Sequence, residues 1–251
     1  MSDINAFYKA LHQVGILNSG SMEQTGEKYF LERYLPIRKS PIVFDVGACT
    51  GSYSSTVRAI SPSARLFAFE PHPASFERLR ANLAGTGATL VRTALGDENG
   101  TTRFYDYADQ DGTSHATLYK DIIDQIHKGT SKAIDVPIRR LDDLLPELGV
   151  EHIDFLKIDT EGHELSVLRG AAKAIADGRI DAIQFEFNET HVISRTFFKD
   201  FWDFLPDYRF MRLLPNNVIG ILNYDPNFCE IFAFQNIVCV RKDVYARHFR
   251  Q

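Results

Sequence analysis

The feature that most constrains the fold is a short apolar run that ends in an acidic residue and a glycine-containing turn. Residues 42–55 read IVFDVGACTGSYSS, in which Asp45 is followed by Gly47 and Gly51. An apolar run of this length predicts a buried strand, and the glycines predict a tight turn that opens a helix. In α/β proteins a strand–turn–helix unit of this kind is a common site for nucleotide-like ligands. The stretch therefore predicts an α/β fold with a ligand site at the turn.

Apolar runs and amphipathic segments alternate along most of the chain. Strand-like runs are predicted at residues 41–47, 64–71, 88–95, 152–162 and 180–189, with helical patterns at 51–60, 73–85 and 164–178. This alternation predicts βαβ units and a parallel sheet, which late runs at 209–215 and 230–242 are expected to close antiparallel. The polar stretch 96–119 is expected to form an insertion at the sheet edge or over the site.

The first part of the chain has a different pattern. Residues 1–38 show helical spacing of apolar side chains, interrupted by glycine, serine and proline. We therefore expect an N-terminal helical cap over residues 1–38 and a ligand-binding α/β domain over residues 39–251.

The composition limits the partners and the compartment. With a net charge of −5, the 251-residue chain lacks the basic footprint of a nucleic-acid-binding protein. No apolar stretch approaches the roughly 18 residues of a membrane span, and no signal peptide is expected. The 3 cysteines match no zinc spacing. We expect a cytoplasmic protein with a small-molecule partner, whose oligomeric state the sequence leaves open.

The turn after the first strand selects among nucleotide-like ligands. A dinucleotide site uses G-x-G-x-x-G to approach a pyrophosphate, but here Cys49 stands where the middle glycine would be. Asp45 would repel a phosphate in a low-dielectric site and attract an ammonium or a sulfonium group, and S-adenosylmethionine carries both. Glu70 ends the next strand, where βαβ units place the carboxylate that accepts ribose hydroxyls. Pro71 then fixes the exit of the chain from that strand.

Several segments together resemble a known enzyme family. FDVGACTGSYS, FEPHP, TALGD and DFLKIDTEGHELSVLRGA are similar to segments of the FkbM-type S-adenosylmethionine-dependent methyltransferases, and the resemblance covers residues 26–241. It implies a Rossmann-like class I methyltransferase fold, with a mostly parallel sheet of seven strands of which the last is antiparallel. It also implies O-methylation of sugars or other hydroxylated natural products. The family usually has asparagine where this chain has Cys49, so a ligand contact there would have to come from the backbone.

By position, the resemblance implies a methyl-donor site shared by three turns. The implied residues are Asp45, Gly47, Ala48, Cys49 and Gly51 around the methionine and sulfonium part, Glu70 and Pro71 at the ribose, and Thr93, Ala94 and Leu95 beside the adenine. Asp97 is a further candidate for the adenine, but D-E-N-G is also a good turn sequence, and the turn is the preferred interpretation.

The ends of the fourth and fifth strands carry the candidates for catalysis. Methyl transfer to an oxygen requires an aligned acceptor and a group that removes its proton. The candidate catalytic residues are Asp159, Glu161, His163 and Glu186. Because neighbouring parallel strands end at the same edge, Asp159 and Glu186 are also candidate ligands of a divalent cation such as magnesium. Glu189 and His191 are near enough in sequence to compete as the base.

Each candidate also has a purely structural interpretation. Asp159 would cap the following helix, His163 would lie on a helix surface, and Glu186 would pair with Lys157 or Arg139. The cap at 1–38 and the segment 105–130 are candidates for a lid that excludes water.

The preferred hypothesis is an S-adenosylmethionine-dependent O-methyltransferase that acts on a hydroxyl of a sugar, a glycan or a similar natural product. One alternative is a non-catalytic module that binds the methyl donor or serves as an assembly subunit. The other is a nucleotide-sugar-modifying Rossmann enzyme, although the chain lacks the G-x-G-x-x-G motif of that class. The sequence does not name the acceptor.

Overall fold

The computed structural model describes residues 2–249 of the chain. Its helices are α1 (Ser2–Gln13), α2 (Met22–Thr25), α3 (Glu27–Tyr34), α4 (Ser52–Ile60), α5 (Pro73–Asn82), α6 (Leu141–Glu147), α7 (Glu164–Gly170), α8 (Ala172–Ala176), α9 (Thr190–Ser194), α10 (Phe198–Phe204), α11 (Pro226–Cys229) and α12 (Lys242–His248). Its strands are β1 (Ile42–Val46), β2 (Arg65–Phe69), β3 (Thr89–Val91), β4 (Ala94–Leu95), β5 (Gly100–Tyr107), β6 (Ser131–Arg139), β7 (Ile153–Ile158), β8 (Ile180–Phe187), β9 (Tyr208–Leu214), β10 (Asn217–Ile221) and β11 (Gln235–Arg241). Within residues 2–249, no helix has both the length and the apolarity that a membrane crossing requires.

A mixed sheet of eight strands forms the centre of the described chain. Its strand order is β10-β9-β11-β8-β7-β1-β2-β3. The run from β8 to β3 is parallel, whereas β11 is antiparallel to both of its neighbours, β8 and β9. The predicted α/β class with a mostly parallel sheet is confirmed.

The sheet has one strand more than the seven expected. The extra strand is β10, which pairs antiparallel with β9 at the edge of the sheet. Its sequence, NVIGI, is short and contains a glycine, so it carries little of the alternation that marks a strand. The expected strand count was therefore too low at this edge.

The stretch 88–95 was predicted to form one strand, but the structure divides it. β3 pairs with β2 in the main sheet, whereas β4 pairs with β6 in a separate sheet of order β4-β6-β5. Thr93 lies at the break, and its hydroxyl donates to the carbonyl groups of Ala94 (3.0 Å) and Pro137 (3.1 Å). The insertion predicted after residue 95 is thus a β-ribbon, β5 with β6, attached beside the ends of the parallel strands.

The main sheet is buried on both faces. Side chains of successive strand residues point to opposite faces, so Val43 and Phe44 belong to different apolar clusters. α3 packs on the Val43 face. There the ring centroids of Phe30 and Tyr34 lie 6.0 and 5.5 Å from the ring centroid of Phe155. Part of the expected N-terminal cap therefore belongs to the same core as the sheet.

Candidate active site

A cavity lies beyond the carboxyl ends of β1, β2 and β7. Open α/β sheets bind ligands at this edge. Most of the predicted donor-site residues line the cavity, namely Gly47, Cys49, Glu70, Pro71, Thr93, Ala94 and Leu95. Two of the predicted catalytic residues, Asp159 and Glu161, line it as well.

The turn after β1 is built around Gly47. Its φ of +80° is left-handed, and a Cβ at this position would lie 1.8 Å from the carbonyl oxygen of Asp159. Glycine is the residue that lets this turn pass so close to the exit of β7. Cys49 also has a left-handed φ of +47°, and its amide donates to Glu70 Oε2 (2.9 Å). The turn is thereby tied to the end of β2.

Glu70 joins two turns at the cavity wall. Its Oε2 accepts the Cys49 amide, and its Oε1 accepts the His72 amide (2.7 Å). Burial raises the pKa of Glu70 to about 7, against the effect of these two hydrogen bonds. Each carboxylate oxygen has a second lone pair, so Glu70 can still accept hydroxyl groups from a ligand. Burial and then the charge of Glu70 raise the pKa of the Cys49 thiol, which favours a neutral side chain there.

Asp45 has a different environment from the one that the sequence suggested. Its side chain is fully buried and lies outside the cavity lining, and its Oδ2 accepts the Ser54 hydroxyl (2.6 Å). Its Oδ1 lies 3.6 Å from Nζ of Lys157, the residue opposite Asp45 in the register of β1 and β7. The negative charge therefore faces a lysine inside the sheet. Its position does not support the argument that Asp45 attracts a sulfonium ligand.

Ala48 and Gly51 also lie outside the cavity lining. Ala48 is buried in an apolar cluster with Leu79 of α5. Gly51 has a φ of +86°, and a Cβ there would lie 2.7 Å from Leu79 Cδ1. The small size of both residues allows the start of α4 to pack closely against α5, so the structure gives them a packing role and no direct access to the cavity.

The inserted ribbon supplies a further wall of the cavity. The lining residues from this segment are Phe104, Thr113, Ser114, Ala116 and Leu118. Asp106 holds the wall in place, because its carboxylate accepts the Gly112 amide (2.7 Å) together with the amide (3.2 Å) and hydroxyl (2.5 Å) of Thr113. Although burial opposes the shift, these hydrogen bonds lower the pKa of Asp106. From its sequence this segment was a candidate lid. Asp106 was not identified as a functional residue, because it lies in a run with the alternation of an ordinary strand.

Asp159 and Glu161 follow β7 and line the wall of the cavity. Lys157 Nζ donates to Asp159 Oδ2 (3.0 Å), and the Asp159 side chain remains 38% exposed. Glu161 has a left-handed φ of +52°, and the Thr117 hydroxyl donates to its carbonyl group (2.8 Å). Burial raises the pKa of Glu161, with His115 opposing the shift and the charge of Asp159 adding to it.

His163 does not line the cavity. It precedes α7, with its Nδ1 3.2 Å from the Tyr119 hydroxyl, and a Cβ on Gly96 would lie 2.9 Å from its Nε2. Burial lowers the pKa of His163. The structure thus places it in the packing between β4 and α7, and neither the predicted catalytic role nor a surface helix position describes it.

Glu186 does not line the cavity either. It accepts a hydrogen bond from the side-chain amide of Asn188. It pairs with neither Lys157 nor Arg139, the partners considered from the sequence, because Lys157 binds Asp159 and Arg139 binds Glu147. Burial, followed by the charges of nearby acids, raises the pKa of Glu186 well above its ordinary value. Because Glu186 lies outside the cavity lining, its predicted catalytic role is not supported.

A buried pair that the sequence analysis did not identify organises the loop after β7. Glu164 Oε1 accepts the Thr160 amide (2.7 Å), the Thr160 hydroxyl (3.1 Å) and the Gly162 amide (3.3 Å). Its Oε2 lies 3.1 Å from Nε2 of His191, and both side chains are buried. His191, which was considered as a competing base, therefore serves to hold Glu164. The available signal was the second glutamate of TEGHE, which can reach back to cap its own loop.

The structure does not unite Asp159 and Glu186 as ligands of a divalent cation. Asp159 is bound by the Lys157 ammonium group, whose positive charge opposes a cation at the same carboxylate. In the part of the chain that the structure describes, neither residue belongs to a group of three side chains with metal-ligand spacing. The predicted magnesium site is not supported.

Comparison with protein families identifies the family of the chain. Residues 45–211 match the methyltransferase FkbM domain. The chain belongs to the FkbM methyltransferase family. It is therefore an S-adenosylmethionine-dependent methyltransferase, as the resemblance in sequence implied, and this assignment replaces both the non-catalytic module and the nucleotide-sugar-modifying enzyme.

Relatives within the family are distant. The chain is 27% identical to the 2-O-methyltransferase NoeI of Sinorhizobium fredii, over 73% of this chain and 78% of that protein. It is 28% identical to the 31-O-demethyl-FK506 methyltransferase FkbM of Streptomyces tacrolimicus, over 59% of this chain and 66% of that protein. The crystal structure of a methyltransferase FkbM from Methylobacillus flagellatus aligns with 95% of this chain and 59% of that one, with a TM-score of 0.50 and 15% identity. At that identity the likeness concerns the fold alone.

The cavity of this FkbM methyltransferase fits its methyl donor in chemical terms. Glu70 presents carboxylate lone pairs that suit ribose hydroxyls, and the turn at Gly47 lines the same cavity. Thr93, Ala94 and Leu95 add backbone polar groups and an apolar side chain for a flat ring. These residues would hold S-adenosylmethionine.

Proposed function

We propose that this FkbM methyltransferase transfers the methyl group of S-adenosylmethionine to a hydroxyl oxygen of a neutral, polyhydroxylated acceptor such as a sugar or a glycan. The observation that supports this proposal best is the pair of carboxylates, Asp159 and Glu161, on the wall of the cavity that also presents Glu70. The names of the two relatives, a 2-O-methyltransferase and a 31-O-demethyl-FK506 methyltransferase, support an oxygen acceptor.

The charge of the wall supports a neutral acceptor. Carboxyl oxygens accept hydrogen bonds from hydroxyl groups, of which a sugar offers several. Among the described residues, the cavity lining includes no lysine or arginine that could pair with a phosphorylated or carboxylated acceptor. A natural product with exposed hydroxyl groups satisfies both conditions, so a sugar or glycan hydroxyl is the preferred acceptor within that class.

We assign proton removal to Asp159. S-adenosylmethionine, when bound, supplies a methyl group on a positively charged sulfur. A sugar hydroxyl is a weak nucleophile at neutral pH, so its proton must pass to a positioned base. Lys157 holds Asp159 through Oδ2, while Oδ1 has no hydrogen-bond partner among residues 2–249. Because the side chain is partly exposed at the cavity wall, this oxygen can accept the proton of an incoming hydroxyl.

The test separates the chemical step from donor binding. In Asp159→Asn the amide keeps the size of the side chain but cannot take up the proton. We expect kcat to fall by about 10²–10⁴-fold, the range typical of losing a general base, while the Kd of S-adenosylhomocysteine changes little. Turnover is measured by mass spectrometry of methyl ethers formed on a panel of neutral glycosides and hydroxylated natural products, and the Kd by calorimetry.

The matched control is Asp207→Asn, which removes an exposed carboxylate far from the cavity lining. It should turn over like the wild type. Full turnover by Asp159→Asn would remove Asp159 as the base. Methylation of anionic or amine acceptors in preference to every neutral hydroxyl compound would overturn the acceptor class, whatever the behaviour of Asp159.

A further inference from the structure

Three groups of histidine and acidic side chains in the described part of the chain have metal-ligand spacing. In each group the possible ligand atoms lie within 4.8 Å of one another. The groups are His152 with Asp154 and Asp181, His72 with Asp106 and Asp111, and His115 with His127 and Glu161. Their surroundings differ, and the difference decides which of them suits a cation.

The first group is already neutralised by arginine. Arg38 Nε lies 3.0 Å from Asp154 Oδ1, and Arg38 Nη2 lies 2.7 Å from Asp181 Oδ2. Arg241 approaches the other oxygen of Asp181 to 3.3 Å. Two guanidinium groups at these carboxylates exclude a further positive ion.

In the second group His72 Nε2 has no hydrogen-bond partner among the described residues, but both carboxylates are already engaged, Asp111 by Lys132 Nζ at 3.2 Å. The carboxylate of Asp106 accepts the Gly112 amide and both donors of Thr113, as described above, and His72 Nδ1 accepts the Ala74 amide (3.2 Å). These contacts hold the ribbon wall. A metal ion would have to break them.

In the third group, within residues 2–249, the ligand atoms have no ion-pair partner outside the group. His115 Nδ1 and Glu161 Oε1 are 3.6 Å apart, which is longer than a hydrogen bond. Two ligands bound at about 2.1 Å to one tetrahedral ion are separated by about 3.4 Å, so the observed distance suits a shared metal. His127 Nε2 is shielded from solvent and has no hydrogen-bond partner within the described residues. The ring centroids of His115 and His127 are 4.3 Å apart.

The charges around the third group also favour a cation. His115 is the only cationic partner within salt-bridge distance of Glu161 in residues 2–249, and it is neutral when its proton is lost. Asp159 is close enough to Glu161 to disfavour a second negative charge there. A divalent cation would relieve that repulsion.

We propose that His115, His127 and Glu161 form a binding site for one divalent transition-metal ion of the zinc or cobalt type. Two imidazoles and one carboxylate are the ligand set of such ions, and three protein ligands leave a coordination position for water or a substrate oxygen. This site is separate from the unsupported pair Asp159 and Glu186, and it does not depend on the acceptor proposed above.

The site would join the inserted ribbon to the sheet beside the cavity. His115 lies between Ser114 and Ala116, both of which line the cavity, whereas Glu161 belongs to the loop after β7. An ion shared by these elements fixes the ribbon wall against the main sheet.

The test is metal binding by the full chain, freed of any affinity tag and treated with a chelator. Co²⁺ titration should give visible ligand-field absorption that saturates at one equivalent, and Zn²⁺ should displace it. In His127→Ala, and separately in His115→Ala, the apparent Kd for Co²⁺ should weaken by at least about 100-fold. His115 is exposed, so its variant removes a ligand without opening a cavity in the core.

The control is His12→Ala, which removes an exposed histidine outside all three groups and should bind Co²⁺ like the wild type. Circular dichroism confirms that each variant is folded. The proposal is overturned if the wild type shows no saturable absorption at millimolar Co²⁺. It is equally overturned if one-equivalent binding persists in both His115→Ala and His127→Ala, because the ion would then lie elsewhere.

Discussion

At Gly47 the conformation of a single residue determines how closely two strand ends approach. The turn after β1 passes the carbonyl group of Asp159 at a distance that leaves no space for a side chain. The same closeness brings the donor turn and the loop with the proposed base to one cavity. The backbone at this residue therefore has both a structural and a functional consequence.

Gly47→Ala should destabilise the protein and weaken donor binding. The new Cβ would lie 1.8 Å from a backbone oxygen, and the φ of +80° is unfavourable for alanine. Because backbone must move to relieve the contact, we expect a loss of about 2–4 kcal/mol in the free energy of unfolding. Urea unfolding measures the loss, and calorimetry with S-adenosylhomocysteine measures the change in affinity.

Gly85→Ala measures the cost of left-handed backbone strain without a steric contact such as the one at Gly47. Gly85 has a similar φ of +74°, but a Cβ there meets nothing within 4 Å. This control should cost about 1 kcal/mol, the penalty for a left-handed alanine, and should leave donor binding unchanged. Equal losses in the two variants would show that the approach to Asp159 does not limit stability.

Asp45 shows what the sequence of a strand leaves undetermined. The alternation of residues places its side chain on one face of β1, and the turn that follows it reaches the cavity through Gly47 and Cys49. Its partner, Lys157, depends on the register between β1 and β7, which are more than a hundred residues apart in the sequence. No local pattern encodes that register, so the charge of Asp45 was assigned to the ligand instead of to Lys157.

At the scale of elements, hydrogen bonds at one carboxylate help to hold the inserted ribbon over the cavity. Asp106, at the end of β5, binds the backbone of residues 112 and 113. Those residues begin the stretch that lines the cavity. Arg78, which donates to the carbonyl groups of Asp111 and Gly112, and the bridge between Tyr105 and Thr117 hold the same segment.

Asp106→Ala should loosen the ribbon wall. Amide hydrogen exchange of peptides from residues 108–118 should become faster, because three donors lose their acceptor. If the closed wall is then populated about a tenth of the time, the Kd of S-adenosylhomocysteine rises by about 10-fold. Asp109→Ala, an exposed acid in the same segment, should change neither quantity. Unchanged exchange in Asp106→Ala would mean that other contacts hold the wall.

Elements with strong local periodicity were the predictable ones. β1, β2, β7 and β8 are apolar runs between turn signals, and the sequence predicted all of them. The division of 88–95 into β3 and β4 was not predictable in this way, because β4 pairs with β6, about forty residues later. A local pattern shows that a stretch is extended, whereas the sheet it joins depends on contacts remote in sequence.

For the whole molecule, acids with raised pKa values make stability depend on pH. Burial raises the pKa of Glu27, Glu70, Glu161 and Glu186. Such an acid binds its proton more tightly in the folded chain than in the unfolded one. Folding is therefore favoured where the acid is protonated, and this contribution is lost as the pH rises through the folded pKa.

Glu70 gives the sharpest test, because its pKa rises from 4.5 to about 7 on folding. Its contribution to stability is complete below 4.5 and is lost between 4.5 and about 7. Relative to Glu70→Gln, the free energy of unfolding of the wild type should thus fall by up to about 3 kcal/mol as the pH rises across that window. Urea unfolding at a series of pH values measures this difference, and Glu98→Gln, at an exposed acid, should run parallel to the wild type. A wild type that gains stability over Glu70→Gln across the same window would show that Glu70 is ionised throughout, held by the Cys49 and His72 amides in spite of its burial.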